Sequence, residues 1–135
     1  MDVKIIEEIL DLIKSKHLID QKNTWSEGSA TYFNELKKEI DEVEEELLLG
    51  RSCYLEDELG DVFWDYLNLL HNLEQEGLIN VESVFERSLL KFSERLSAIS
   101  SGSNWGAAKQ TQKLRLEKEH QLSLAGKSLD SDIDK

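Results

Sequence analysis

The chain has 135 residues and no proline, and its apolar residues recur at steps of three and four. Proline in a helix interior removes a backbone donor and clashes with the preceding turn. Apolar spacing of three and four places those side chains on one helical face. Together these features point to an all-α fold, a bundle of four to five helices. At 39% hydrophobic and 33% charged, such a bundle has only a thin core as a monomer. Small helical chains complete a thin core by oligomerising, so an oligomeric core is expected.

The first helix is expected from about Asp2 to Ile19, with Ile6, Ile9, Leu10 and Ile13 on one face. A polar loop from Asp20 to Gly28 follows, holding Trp25. The second helix covers Ser29 to Leu49, with an apolar seam of Phe33, Leu36, Ile40, Val43 and Leu47, and Gly50 stops it. Ser52 is the expected N-cap of the third, which ends before Gly77, and Asn80 that of the fourth, which runs to about Ala98. The fourth helix's seam is Val81, Val84, Phe85, Phe92, Leu96 and Ile99. After a loop at Ser100 to Asn104, a short polar helix runs from Trp105 to about His120. One domain over residues 1–120 is expected, with 121–135 as a polar, disordered tail.

The net charge is −12, from 28 acidic and 16 basic residues. That surface repels nucleic acid and anionic membranes, since binding to them comes from Lys and Arg neutralising phosphates. An anionic small substrate would need bound cations to approach. Cys53 is the single cysteine, which leaves no intramolecular disulfide and no cysteine-rich zinc site. The start, Met1-Asp2-Val3-Lys4, is not a basic leader, and no apolar run approaches the roughly 20 residues of a membrane span. The expected location is the cytoplasm.

Two helices carry the chemistry. On the second, Glu39 and Glu42 are three apart and share a face, and Glu35 and Glu46 extend that line. The line runs one residue off the apolar seam, on its shoulder. On the third, Glu58, Asp61, Asp65, Asn68 and Asn72 step by three and four, forming a narrow polar stripe. Its surround is apolar: Leu59, Val62, Phe63, Trp64, Tyr66, Leu67, Leu69, Leu70 and Leu73. An exposed amphipathic helix has a broad polar face, so this helix is expected to be buried on most sides. Buried carboxylates need cations or metals. Glu39, Glu42, Glu58 and Asp61 would supply a hard, oxygen-rich site suited to Mg²⁺, which shares its octahedral ligands with substrate phosphates. The competing reading is a solvated acidic surface, or carboxylates paired with Lys and Arg.

At these residues the sequence resembles the MazG-like nucleotide pyrophosphohydrolases of the all-α NTP pyrophosphohydrolase superfamily. The match lies in Leu36-Lys37-Lys38-Glu39-Ile40-Asp41-Glu42-Val43 and Glu58-Leu59-Gly60-Asp61-Val62. The family's metal-binding E-x-x-E and E-x-x-D then fall on Glu39, Glu42, Glu58 and Asp61. Lys91-Phe92-Ser93-Glu94-Arg95-Leu96 resembles a basic segment whose lysine and arginine contact substrate phosphates. Asn104-Trp105-Gly106-Ala107-Ala108-Lys109 resembles a late tryptophan-plus-lysine segment near the nucleotide. The pattern departs at Leu89, where an asparagine is usual, and at Glu94, where the first arginine stands. Gly60, inside a helix, suggests a close approach by ligand or by a neighbouring helix.

The resemblance implies Mg²⁺-dependent hydrolysis of (deoxy)nucleoside triphosphates to monophosphate and pyrophosphate, with Mn²⁺ as an alternative metal. It implies house-cleaning of non-canonical or surplus nucleotides by a homodimer or a dimer of dimers. Glu39 and Glu42 are the expected catalytic residues. Lys91, Arg95, Trp105, Lys109 and Asp65 are the expected substrate-binding residues. The alternatives are a dUTPase-like or dCTP-specific enzyme of the same superfamily, and a non-catalytic helical interaction protein. Trp105 reads equally as a base-stacking and as a packing residue, Trp25 as packing. His17, His71 and His120 have no metal-ligand spacing, and Cys53 reads as structural.

Overall fold

The computed structural model describes the backbone of residues 1–133 and the side chains of residues 1–127. Five helices follow in order: α1 (Val3–Asp20), α2 (Ser29–Leu49), α3 (Ser52–Gln75), α4 (Val81–Ser100) and α5 (Trp105–Ile133). The described residues contain no strand, and the all-α expectation holds. The chain forms two compact units, Met1–Ser83 and the segment from Val84 onward.

Local sequence explains the helix ends. Asp2 accepts a hydrogen bond from the Lys4 N–H at 3.0 Å and caps α1. Asn80 accepts from the Ser83 N–H at 2.9 Å and starts α4. Gly50 takes φ 64° after α2, a left-handed conformation that glycine reaches without a Cβ penalty. Ser52 is not the cap of α3; it is already helical, and extended Arg51 flanks it. At the other end of the chain α5 does not stop near His120. It continues to Ile133, because no proline interrupts it and Gly126 alone costs only about 1 kcal/mol against alanine. Of the expected tail, residues 134–135 lie outside the described residues.

The first unit is built on an α2–α3 hairpin. Along α2, Tyr32, Leu36, Glu39, Val43 and Glu46 are buried or half-buried, while Phe33, Ile40 and Leu47 are exposed. Along α3, Leu55, Glu58, Val62, Asp65, Leu69 and Asn72 are the buried or half-buried line. Both lines step by three and four, the spacing of a coiled-coil seam. This revises the sequence expectation. Three of the five residues of the apolar seam of α2 are exposed, and of the carboxylates taken for its shoulder Glu35, Glu39 and Glu46 are half-buried or buried while Glu42 is exposed. Nor is α3 buried on most sides in a single chain. Its C-terminal half is, but Leu59, Phe63 and Tyr66 are exposed. Asn68 and Asn72 are buried and donate to carbonyls of their own helix, Trp64 at 2.9 Å and Asn68 at 2.8 Å.

α1 packs on α3, with Ile13 buried and His17 edge-on to His71 at 4.9 Å between ring centroids. The C-terminal end of α1 is fastened by Asp20, which is 5% exposed. Its carboxylate takes the Lys16 ammonium on one oxygen and the Tyr32 hydroxyl on the other. Trp25 lies edge-on to Tyr32 at 5.6 Å, and the Lys16 ammonium lies 4.4 Å from the Trp25 ring centroid. The packing expected of Trp25 is present. A buried carboxylate persists only when its oxygens are satisfied, and here both are. A hydrogen bond to a charged acceptor contributes about 1.5–3 kcal/mol. Tyr32→Phe should therefore lower the stability measured by urea unfolding by about that amount. An unchanged midpoint would show that Asp20 does not depend on the tyrosine hydroxyl.

Candidate metal centre

Two helices bring the four predicted carboxylates together. One oxygen each from Glu39, Glu58 and Asp61 lies within 4.8 Å of the other two. Glu42 neighbours both Glu39 and Glu58 and adds its charge to theirs. The antiparallel hairpin makes this possible. Three-residue spacing keeps each pair on one face, and the turn at Gly50 sets the two faces against each other.

The electrostatics of the cluster are unrelieved. Among the described residues no Lys or Arg forms an ion pair with Glu39, Glu42, Glu58 or Asp61. Oε2 of Glu39 and Oε2 of Glu58 are buried with no hydrogen-bond partner. Burial, then the neighbouring Glu42 and Glu58, push the Glu39 carboxyl up to about 8. Burial and Glu42 raise Glu58, and burial, Asp57 and Glu42 raise Asp61. Asp65, one turn on from Asp61, is 8% exposed. Burial, followed by Glu35, Asp61 and Glu42, raises its carboxyl to about 6.

Clustered hard oxygens, two of them orphaned, with no counter-charge among the described residues, are chemistry that suits a divalent cation. The donor set fits Mg²⁺ or Mn²⁺, and it contains no sulfur or imidazole to favour a softer metal. Gly60 lies between Glu58 and Asp61, and a Cβ there would meet nothing within 4 Å. The close approach suggested by the sequence is not made within this chain.

A family model described as the MazG nucleotide pyrophosphohydrolase domain matches residues 27–99. The chain belongs to this family. It is therefore a nucleotide pyrophosphohydrolase, a hydrolase, and its family is metal-dependent. No curated protein and no solved structure matches it. The MazG match spans α2, α3 and all but the last residue of α4, and so holds every residue of the acidic cluster. It ends before Trp105 and Lys109.

The other expected site residues lie in the second unit. Arg95 and Trp105 come together there, with the guanidinium carbon 5.1 Å from the indole centroid. Trp105 also tilts against Phe92, 6.2 Å away, so it packs whatever else it does. The Lys91 backbone carbonyl is tied to Gln112 of α5. Lys109 is exposed and, among the described residues, forms no side-chain hydrogen bond or ion pair. The residue at the departure from the pattern, Glu94, takes both terminal nitrogens of Arg115 at 2.9 Å. No feature of the sequence marked Gln112 or Arg115, because each meets its partner across a helical hairpin.

The raised carboxyls make stability depend on pH. Between the ordinary glutamate pKa and about 8, folded Glu39 binds a proton that the unfolded chain releases. The folded state is then favoured at the acidic end and loses that advantage as pH rises. In EDTA, the melting temperature should fall between pH 5.5 and pH 8. With millimolar Mg²⁺ the fall should shrink or reverse, since a cation binds the ionised cluster. Superimposable profiles with and without metal would count against the centre.

Proposed function

We propose that this protein hydrolyses (deoxy)nucleoside triphosphates to the monophosphate and pyrophosphate with Mg²⁺, and that it removes non-canonical or surplus nucleotides. The observation that supports it best is the uncompensated cluster of Glu39, Glu58 and Asp61, with Glu42 beside it, inside the family-matched segment. Those four residues would hold the metal. Bound there, a divalent cation neutralises the triphosphate and makes water a better nucleophile at neutral pH.

The residues of the chain do the rest. A water oxygen forms a bond to the α-phosphorus, and the bond from that phosphorus to the bridging oxygen breaks. Pyrophosphate leaves with the electron pair. Glu39 or Glu42 accepts the proton of the water. Lys91 and Arg95 bind phosphate oxygens and stabilise the charge that develops on them. Trp105 and Lys109 line the nucleotide side, and Asp65 accepts a hydrogen bond from the substrate.

Glu58→Ala and Asp61→Ala should each abolish pyrophosphate release across a nucleotide panel while helix content by circular dichroism is unchanged. Arg95→Ala should cut kcat/KM by roughly 10–100-fold and keep the Mg²⁺-induced rise in melting temperature, because the carboxylates are untouched. Wild-type turnover in Asp61→Ala would place the metal elsewhere.

The working unit in this proposal is a homodimer or a dimer of dimers. Phe33, Ile40 and Leu47 form one exposed line along α2, and Leu59, Phe63 and Tyr66 one along α3. Contiguous apolar faces of this kind on a soluble chain mark a protein contact. Light scattering should give at least twice the monomer mass, and Ile40→Glu should reduce it. A monomeric wild type at micromolar concentration would reject this part of the reading.

A further inference from the structure

Arg95 is held on three sides. Its guanidinium carbon is 5.1 Å from the Trp105 ring centroid and 5.4 Å from that of Phe92. On the third side Nε donates to Oε1 of Gln112 at 2.8 Å, and Nε2 of the same amide donates to the Lys91 carbonyl at 2.9 Å. Both ends of the Gln112 amide are committed. Reversing it would set a donor against the Arg95 N–H and an acceptor against the Lys91 carbonyl, so its orientation is fixed.

An arginine offers two bidentate forks, one from Nη1 and Nη2 and one from Nε and Nη2. With Nε committed to Gln112, only the end-on fork stays open. Nη1 and Nη2 form no hydrogen bond among the described residues. We propose that Gln112 is a positioning residue: it fixes the Arg95 guanidinium so that its end-on fork meets a substrate phosphate. This rests on the reading that Arg95 contacts phosphate. Holding a long, rotamer-rich side chain in place before substrate arrives removes an ordering cost from binding.

The rest of α5 shows how Gln112 is delivered. Gln112, Arg115 and Glu119 step by three and four along one face. Arg115 pairs with Glu94, and Glu119 pairs with Arg87. Both pairs are largely exposed and each adds little on its own, so the loss of one leaves the helix that carries Gln112 in place. Both Gln112 and Arg115 lie beyond the segment matched by the family model.

The test is a double-mutant cycle with Mg²⁺ and a panel of deoxynucleoside triphosphates. Gln112→Leu removes both hydrogen bonds at similar size, and Gln112→Met run beside it guards against poor packing of the leucine. Either should lower kcat/KM by about 3–10-fold, chiefly through KM. In the Arg95→Ala background the same substitution should add nothing, because the residue acts through Arg95. Arg115→Leu, which removes the neighbouring tie and leaves Gln112 in place, should stay within about twofold of wild type. Additive losses in the cycle would overturn the proposal, as would an equal loss from Arg115→Leu, which would reduce Gln112 to one more contact holding the helix. A slow Arg95→Ala beside a wild-type Gln112→Leu rejects the role of Gln112 alone. A wild-type Arg95→Ala rejects the phosphate reading, and the role of Gln112 falls with it.

Discussion

Everything in the first unit depends on carboxylates placed on the packed face between two helices. In most helical hairpins the positions of Glu39, Glu58 and Asp65 would hold Leu or Val. Here leucine and valine alternate with acids along the same line, and of the acids on α2 only Glu46 meets an arginine among the described residues, Arg51. Packing draws α2 and α3 together, and like-charge repulsion and desolvation oppose it. Apolar contact at Leu36, Val43, Val62 and Leu69 has to exceed that opposition without metal. The outcome is a rigid pair of helices presenting hard oxygens that no protein cation satisfies. As a metal centre, such a cluster would be preorganised by the fold itself, with stability held back until a cation bound.

The net charge of −12 conceals a strong division. Residues 1–83 carry 21 acidic and 7 basic side chains, whereas residues 84–135 carry 7 acidic and 9 basic. The whole-chain figure suggests a surface that repels any phosphate. The division shows that the repulsion belongs to the unit that holds the acidic cluster, and that the second unit is close to neutral with a slight basic excess. In the second unit two of the arginines are already neutralised, Arg87 by Glu119 and Arg115 by Glu94. Arg95, by contrast, is held by a neutral amide and two rings, which fix its direction without cancelling its charge.

Much of this was legible in the sequence, for physical reasons. The lack of proline and the three-four periodicity pointed to the helices, and the expected cap at Asn80 located the start of one of them, while that at Ser52 fell one residue late. The acidic pairs could be named because spacing within a helix fixes a shared face. What periodicity could not settle was which of two adjacent faces points inward. Phe33, Ile40 and Leu47 are the more apolar choice for α2, but packing on α3 selected the line through Glu39 and Glu46. Contacts between distant segments were also hidden. Nothing local to Asp20 predicts Tyr32, and nothing local to Arg95 predicts Gln112. The far end of α5 went unread because its composition is polar, and a composition argument weighs burial but not the absence of a helix breaker.

Glu39 and Glu46 stand two turns apart on one face of one helix, and their contrast shows what leaves a carboxylate there without a counter-charge. Glu46 is the more buried of the two by residue, at 8% exposure. Yet Arg51, just past the Gly50 turn, meets it with two hydrogen bonds at 2.7 and 2.9 Å and holds its carboxyl below the ordinary value. Glu39 has only other acids beside it, and its carboxyl rises. Burial alone therefore does not define the centre. The end of the hairpin nearest the turn is closed by an arginine and is structural. One step further in, the chain supplies the same residue type on the same face and withholds the cation. The acidic cluster lies where, among the described residues, the fold supplies no positive charge of its own.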